Sequence, residues 1–293
     1  MKNTSMSVRV WGWINSHNYP LNVCYKTLED TMKNFIISLL NNNEKRRKHI
    51  TEQFERNNIE FEFFDAIDKS RINIANELGI TFDNPNLSMG EKGCFLSHIT
   101  LWKKIIDENI PVAGIFEDDI YLSKESELYL TDYNWVDHNI DIIKIERSDE
   151  KVRTSIFPVK KLKKNENIFR LKKEHLGTGG YIITNKGANF LFNKITSTPL
   201  IEPVDCEIFD NFILDKNYIA CQLIPALCMQ DFTLNKSHNN FPSSLENERV
   251  HRIITPKENY NSKLLREIHR VKNQLIDFIF NKQIERKLPF NKD

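Results

Sequence analysis

Twice in its first half the chain passes from a short apolar stretch through an amphipathic one into another apolar stretch. No other feature constrains the fold as strongly. Phe35 to Leu39 is a short Ile-rich run that fits a buried parallel strand. An Asn-rich turn follows, then EKRRKHITEQFERNN, where Ile50 and Phe54 stand four apart on one face among charges. IEFEFFDAID, residues 59–68, alternates apolar and acidic positions as a strand does. The second unit opens at Ser88, a helix N-cap with Glu91 three residues on. Phe95, Ile99, Trp102 and Ile106 then recur at helical spacing until Pro111 stops them. VAGIF follows as an apolar strand that runs straight into Glu117, Asp118 and Asp119. Two successive β-α-β units imply right-handed crossovers, a parallel sheet and an α/β fold.

The later chain is less regular. DIIKIE (141–146) reads as a strand, 151–173 as a basic hairpin-like region, and a Gly-rich turn precedes a strand at Tyr181–Thr184 and a helix from Lys186. A turn at Pro203 leads into another helix, and NYIACQLIPALCMQD reads as strands broken at Pro225. Residues 1–31 lack periodicity and are set apart as an N-terminal extension. Residues 32–250 form the α/β domain, and 251–293 a C-terminal basic amphipathic segment with a helical pattern over 261–288.

With 293 residues, 40% of them hydrophobic, the chain supports one domain of this size. Its 41 basic and 40 acidic residues nearly cancel, which argues against a nucleic-acid partner. Five cysteines without a CxxC read as reduced thiols, and no His or Cys pair at short spacing is seen that would point to zinc. No apolar run approaches the ~20 residues that span a bilayer, and the N-terminus lacks a signal-peptide core. These readings place the chain in the cytoplasm, with the C-terminal basic helix offering peripheral contact with the anionic inner face of the membrane.

The chemistry concentrates at the acidic strand end. Unit charges ~4 Å apart repel by about 4 kcal/mol at an effective dielectric near 20, so adjacent buried carboxylates call for a cation. Open α/β sheets bind ligands at the carboxyl ends of their strands, where Glu117, Asp118 and Asp119 fall. Hard oxygen ligands select Mg²⁺ or Mn²⁺, which a diphosphate can share. The plain alternative is an acidic solvent-facing turn. Arg46 and Arg47, beside Lys45, offer guanidinium forks for phosphate, one of the two arginines turning inward, unless they merely solvate a helix face. His98 and Ser97 reach a ligand from their helix or serve its packing. His175 precedes LGTGG, a turn whose backbone N–H groups can approach a sugar or phosphate. It is not a Walker loop. Asp205, near Glu202 and Glu207, is a candidate general base or a complement to a helix dipole.

FIISLL with the downstream RR, FEFFDAID, MGEKGCFLSHITLWKKI, FEDDI, HLGTGGYIIT and EPVD together resemble glycosyltransferase family 25. The resemblance spans roughly residues 32–245. It implies a GT-A-type nucleotide-diphospho-sugar transferase fold with a mostly parallel central sheet, a UDP-sugar donor, most often UDP-galactose, Mn²⁺ or Mg²⁺, inversion, and a glycan or glycolipid acceptor such as the lipooligosaccharide outer core. By that resemblance Asp118 and Asp119 hold the metal. Gly90, Gly93, Ser97 and His98 fall in the helix motif beside the donor pocket, and Gly179, Gly180 and Asp205 in the later donor and acceptor segments. Those glycines, Ser97 and His98, with Arg46, Arg47, Asp68, Glu117 and Asp118, are the expected donor-site residues. Asp205, placed but not given a role by the resemblance, is the expected base. The ISLLNNNEKRR turn departs from the family pattern, and 1–31 has no counterpart in it. Two rivals remain on residues alone: a metal-independent glycoside hydrolase working with two carboxylates, and a non-catalytic membrane-surface assembly protein.

Overall fold

The computed structural model describes residues 32–39, 43–163, 166–236, 240–242 and 282–292. The expected extension over 1–31, and the C-terminal helical pattern as far as residue 281, lie outside the described residues.

Both β-α-β units are present. β1 (Met32–Ser38), α1 (Glu44–Arg56) and β2 (Glu62–Asp65) make the first. The one-turn α2 (Ile74–Glu77) and the long α3 (Met89–Asp107) lead into β3 (Val112–Glu117), and β1 lies between β2 and β3, parallel to both. α3 begins at the expected cap. Ser88 Oγ accepts from the Glu91 N–H, and the Glu91 carboxylate accepts from the Ser88 N–H at 2.9 Å. Such a cap is worth about 1 kcal/mol.

The chain continues through β4 (Ile120–Leu122), α4 (Ser126–Leu130), β5 (Ile142–Lys144), β6 (Lys151–Ser155), β7 (Lys160–Lys161) and β8 (Asn167–Arg170). It then forms β9 (Gly180–Thr184), α5 (Asn185–Ser197), α6 (Val204–Cys206), β10 (Ala220–Ile224), β11 (Cys228–Gln230), α7 (Asp231–Leu234) and β12 (Gln283–Lys287). The central eight-stranded sheet has the order β2-β1-β3-β9-β5-β10-β8-β7. β9 and β8 run against the other six strands, so the sheet is mostly parallel, as expected for this α/β fold.

Alternation along the central strands sorts side chains to two layers. Phe35, Ile37, Ala113, Ile115, Tyr181 and Ile183 face a layer completed by Phe95, Ile99 and Trp102 of α3 and Leu191 and Ile195 of α5. Ile36, Val112, Phe116 and Ile182 face the opposite layer, with Ile50 and Phe54 of α1. Burial on both faces explains why these strands read as unbroken apolar runs. Each buried Ile or Phe contributes about 1.5–3 kcal/mol, enough to hold charged groups fixed at the strand ends.

Two expectations change in detail, and one element gains a direction. The strand over 141–146 closes at Lys144. The 181–184 strand, to which the sequence assigns no direction, enters antiparallel between β3 and β5. Within the expected C-terminal helix, 283–287 is a strand paired with β6. There Arg286 stacks over Phe169 at 4.1 Å and donates to Thr154 Oγ1 at 3.1 Å, cross-strand contacts that override helical periodicity. Among the described residues, no helix is long and apolar enough to cross a membrane.

Candidate active site at the carboxyl edge of the sheet

β1, β2 and β3 end side by side at Ser38, Asp65 and Glu117. Asp118 and Asp119 form the turn that joins β3 to β4. That turn is pinned from two directions. Gln53 of α1 donates to Ile120 O at 2.8 Å and accepts from the Leu122 N–H at 2.8 Å. β11 pairs with β4, and the Asp231 N–H donates to Asp119 O at 2.9 Å.

Both aspartates are nearly enclosed, at 6% and 5% exposure. Arg46 stands 2.5 Å from Asp118 Oδ1 and 3.6 Å from Asp119 Oδ2, and also donates to Phe241 O at 2.8 Å. Asn43 donates to Asp118 Oδ2. Gln230 bridges Glu117 Oε2 at 2.9 Å and Asp119 Oδ1 at 3.2 Å, and the Thr178 hydroxyl donates to Glu117 Oε1 at 2.6 Å. Burial first, then Glu117 and Asp118, push the Asp119 carboxyl up to about 7 against the pull of Arg46 and Gln230. Burial opposes the charged Arg46, but Asp119 and Asp118 outweigh it and raise its pKa. One guanidinium against Asp118 and Asp119, with Glu117 adjoining, leaves a formal negative surplus. Two such enclosed oxygen donors fit a hard divalent cation.

Behind the edge lies a second charged group. Lys144 Nζ donates to Glu146 Oε2 at 3.0 Å, to Leu176 O at 2.9 Å and to Gly177 O, and both side chains are fully buried. Glu146 Oε2 also accepts the Gly179 N–H at 3.0 Å. Burial raises the Glu146 pKa while Lys144 opposes the shift. Burial, then Lys144, push buried His175 down to about 3. Gly177 has φ +98°, open to glycine at little cost, and its N–H donates to Asp205 Oδ2 at 3.1 Å. The Gly-rich turn is thus wired to a hidden ion pair on one side and to Asp205 on another, and it carries Thr178 onto Glu117.

The remaining expected residues divide. Gly180 opens β9 opposite Phe116. His98 is buried, with Nδ1 2.7 Å from the Tyr181 hydroxyl and Nε2 3.8 Å from Glu117 Oε1. Gly90 is half-buried in the first turn of α3, and exposed Asp68 accepts from the Ser70 N–H at 2.8 Å. Arg47 is turned away from the carboxylates, its guanidinium 4.0 Å over the Phe63 ring. Gly93 lets α3 approach the chain after β2, since an added Cβ would lie 2.4 Å from Ile67 O. Fully buried Ser97 accepts from the Ile67 N–H and donates to Gly93 O, both at 2.8 Å. That hydroxyl ties the Ile67 loop to α3. Glu207 likewise accepts from the Glu202 N–H at 3.3 Å and from Asn211 at 3.1 Å.

Sequence reasoning missed Asn43, Thr178 and Gln230, which hydrogen-bond the three acids, and the Lys144–Glu146 pair. A signal existed for the pair. In DIIKIE the two charges stand two apart within an apolar run, which puts both on one buried face. Gln230 carried only the weaker cue of a polar residue closing an apolar strand.

The sequence profile described as glycosyltransferase family 25 (LPS biosynthesis protein) matches residues 31–208. A putative glycosyltransferase of Haemophilus influenzae is 37% identical over 86% of this chain and 87% of its own length. The lacto-N-neotetraose biosynthesis glycosyltransferase LgtB of Neisseria meningitidis serogroup B is 32% identical over 83% of this chain and 94% of its own. The lipooligosaccharide biosynthesis protein lex-1 of Haemophilus influenzae is 32% identical over 84% and 90%. Among solved structures, a glycosyltransferase involved in glycosylation of the major capsid of PBCV-1 aligns over 75% of this chain and 98% of that chain. Its TM-score is 0.40 and its identity 9%, too loose to transfer any residue role. The match over most of the domain and the identity to full-length relatives place the chain among the members of glycosyltransferase family 25.

Proposed function

We propose that this chain moves a hexose, with galactose the expected sugar, from a UDP-sugar to a hydroxyl of a lipooligosaccharide-type glycan, with inversion at the anomeric carbon. Two relatives named for lacto-N-neotetraose biosynthesis and lipooligosaccharide biosynthesis support the acceptor class. The observation that carries the chemistry is the negative surplus at Asp118 and Asp119, enclosed and only partly offset by Arg46.

Asp118 and Asp119 would hold Mn²⁺ or Mg²⁺, which supplies charge neutralisation for a diphosphate leaving group. Gln230 and Asn43 orient the carboxylates, and Arg46 can turn from them to a phosphate oxygen as the donor enters. Asp205, held by the Gly177 N–H, takes the proton of the acceptor hydroxyl. That oxygen forms the new bond to C1 as the C1–O bond to UDP breaks. Thr178, Gly179 and Gly180 border the reacting sugar. Gly90 and Asp68 are assigned to the nucleotide side of the donor site, while Gly93 and Ser97 act by placing the Ile67–Asp68 loop. The basic stretch ahead of β12 is the part proposed to touch anionic lipid, and co-sedimentation with anionic vesicles tests it.

A panel of UDP-sugars with Mn²⁺ and short lipooligosaccharide acceptors, scored by UDP release and product mass, tests the reading. Transfer of galactose to yield a product of inverted configuration is expected. Hydrolysis of glycans without nucleotide or metal would reject it in favour of a glycosidase.

A further inference from the structure

α3 turns a thiol sulfur and an imidazole nitrogen toward the end of β3. Cys94 and His98 stand one helical turn apart, a short-spaced Cys–His pair that the sequence reading passed over. Their Sγ and imidazole nitrogen, with a carboxylate oxygen of Glu117, lie within 4.8 Å of one another. His98 is fully buried, yet its Nε2 makes no hydrogen bond. Glu117 Oε1 is 3.8 Å away, beyond hydrogen-bond reach. The ring cannot readily turn to hide this nitrogen, because Nδ1 is tied at 2.7 Å to the Tyr181 hydroxyl. Tyr181 is in turn held by the Trp102 indole N–H at 2.9 Å. In the tautomer whose Nδ1–H donates to the Tyr181 oxygen, Nε2 presents a lone pair toward the thiol and the carboxylate, as the nitrogen of a metal-ligating histidine does.

We infer that Cys94, His98 and Glu117 form a site for one borderline-soft divalent ion of the zinc type, distinct from the hard-ion position at Asp118 and Asp119. Sulfur, imidazole and carboxylate ligands favour zinc, whereas Mg²⁺ and Mn²⁺ take oxygen sets. Bonds of about 2.0–2.3 Å put ligands about 3.3–3.8 Å apart around a tetrahedral ion, so side-chain shifts of about 1 Å close the set. Half-buried Cys94 gives the ion a route in, and water can complete the tetrahedron. The ion would clamp α3 to the end of β3 and fix Glu117 beside the aspartates. The inference stands on these side chains whether or not the chain transfers galactose.

The test uses the full chain, stripped with chelator under reductant and titrated with Co²⁺ alone. One equivalent is expected to give a thiolate-to-cobalt charge-transfer band with tetrahedral visible bands, bleached by Zn²⁺. Cys94→Ser should abolish the charge-transfer band with circular dichroism unchanged. Tyr181→Phe should weaken Co²⁺ binding by about 10–100-fold. Asp119→Asn should keep the band. Absence of the band in the wild-type chain, or its survival in Cys94→Ser, overturns the site, and its loss in Asp119→Asn overturns the separation of the two positions. Should Cys94→Ser fail to fold, alkylation of the wild-type chain read by peptide mass decides instead. Protection of Cys94 by one equivalent of Zn²⁺ supports the site, and no protection overturns it. Because the readouts are a spectrum and a mass, a negative result leaves the transferase reading intact.

Discussion

Two charged groups meet at the Gly-rich turn, and they differ in balance. At the sheet edge, Asp118 and Asp119 share one guanidinium, and burial with neighbouring acids lifts Asp119 to about 7. One step behind, Lys144 and Glu146 match one for one, fully buried, with Lys144 also donating to Leu176 O and Gly177 O. Thr178 and Gly179 join the two, the first donating to Glu117 and the second to Glu146. Burial of charge is common to both and so distinguishes neither. What separates them is the unsatisfied remainder: an unbalanced group can recruit a cation, while a balanced one can only hold the chain in place. The first is read as chemistry and the second as scaffold.

That contrast breaks most sharply under Asp119→Asn. Transfer should fall by about 10³-fold or more, while thermal stability holds or rises because a source of repulsion is gone. A parallel collapse of stability and activity, measured by calorimetry and UDP release, would make Asp119 a structural residue. Lys144→Met should do the reverse. An unpaired buried Glu146 costs about 3–5 kcal/mol of stability, read from urea unfolding. Adding Glu146→Leu should recover most of it, and a double mutant no better than the single would remove the pair from the scaffold.

A subtler contrast involves pH. His175 is held neutral in the fold, at about 3 against an ordinary value near 6.5. Below about 6.5 the unfolded chain takes up a proton that the folded chain refuses, so stability falls as pH drops toward 3. By pH 5 the loss from this residue amounts to about 2 kcal/mol. Unfolding of wild type and His175→Gln at pH 7 and pH 5 isolates it, since other groups cancel in the difference. Equal pH slopes would contradict the burial of a neutral imidazole. The smallest effect belongs to Arg47→Ala, which gives up a cation–π contact with Phe63 worth about 0.5–1 kcal/mol and should spare KM for the donor. Arg46→Ala should raise that KM strongly. Equal effects of the two would erase the inward and outward assignment.

Much of this was legible in the residues. The β-α-β rhythm, the Ser88–Glu91 cap and the placement of FEDD at a strand end all follow from local periodicity and capping, which act within a few residues. The antiparallel entry of β9 and the pairing of β6 with β12 were not, because period-two alternation reveals a face and not a partner. The same limit hid Asn43 and Gln230, whose roles come from side chains meeting across distant segments. Ser97 shows the same limit from another side: its place in a family motif says nothing of the hydrogen bonds its hydroxyl makes with Ile67 and Gly93.

Mn²⁺ binding in the presence of UDP, followed by the loss of the free-ion electron paramagnetic resonance signal, tests the unbalanced edge most directly. The expected result is one bound ion in the wild-type chain and in Cys94→Ser, and none in Asp118→Asn or Asp119→Asn. Wild-type protein that leaves Mn²⁺ free, or aspartate variants that bind it as tightly as wild type, would contradict the assignment of these carboxylates.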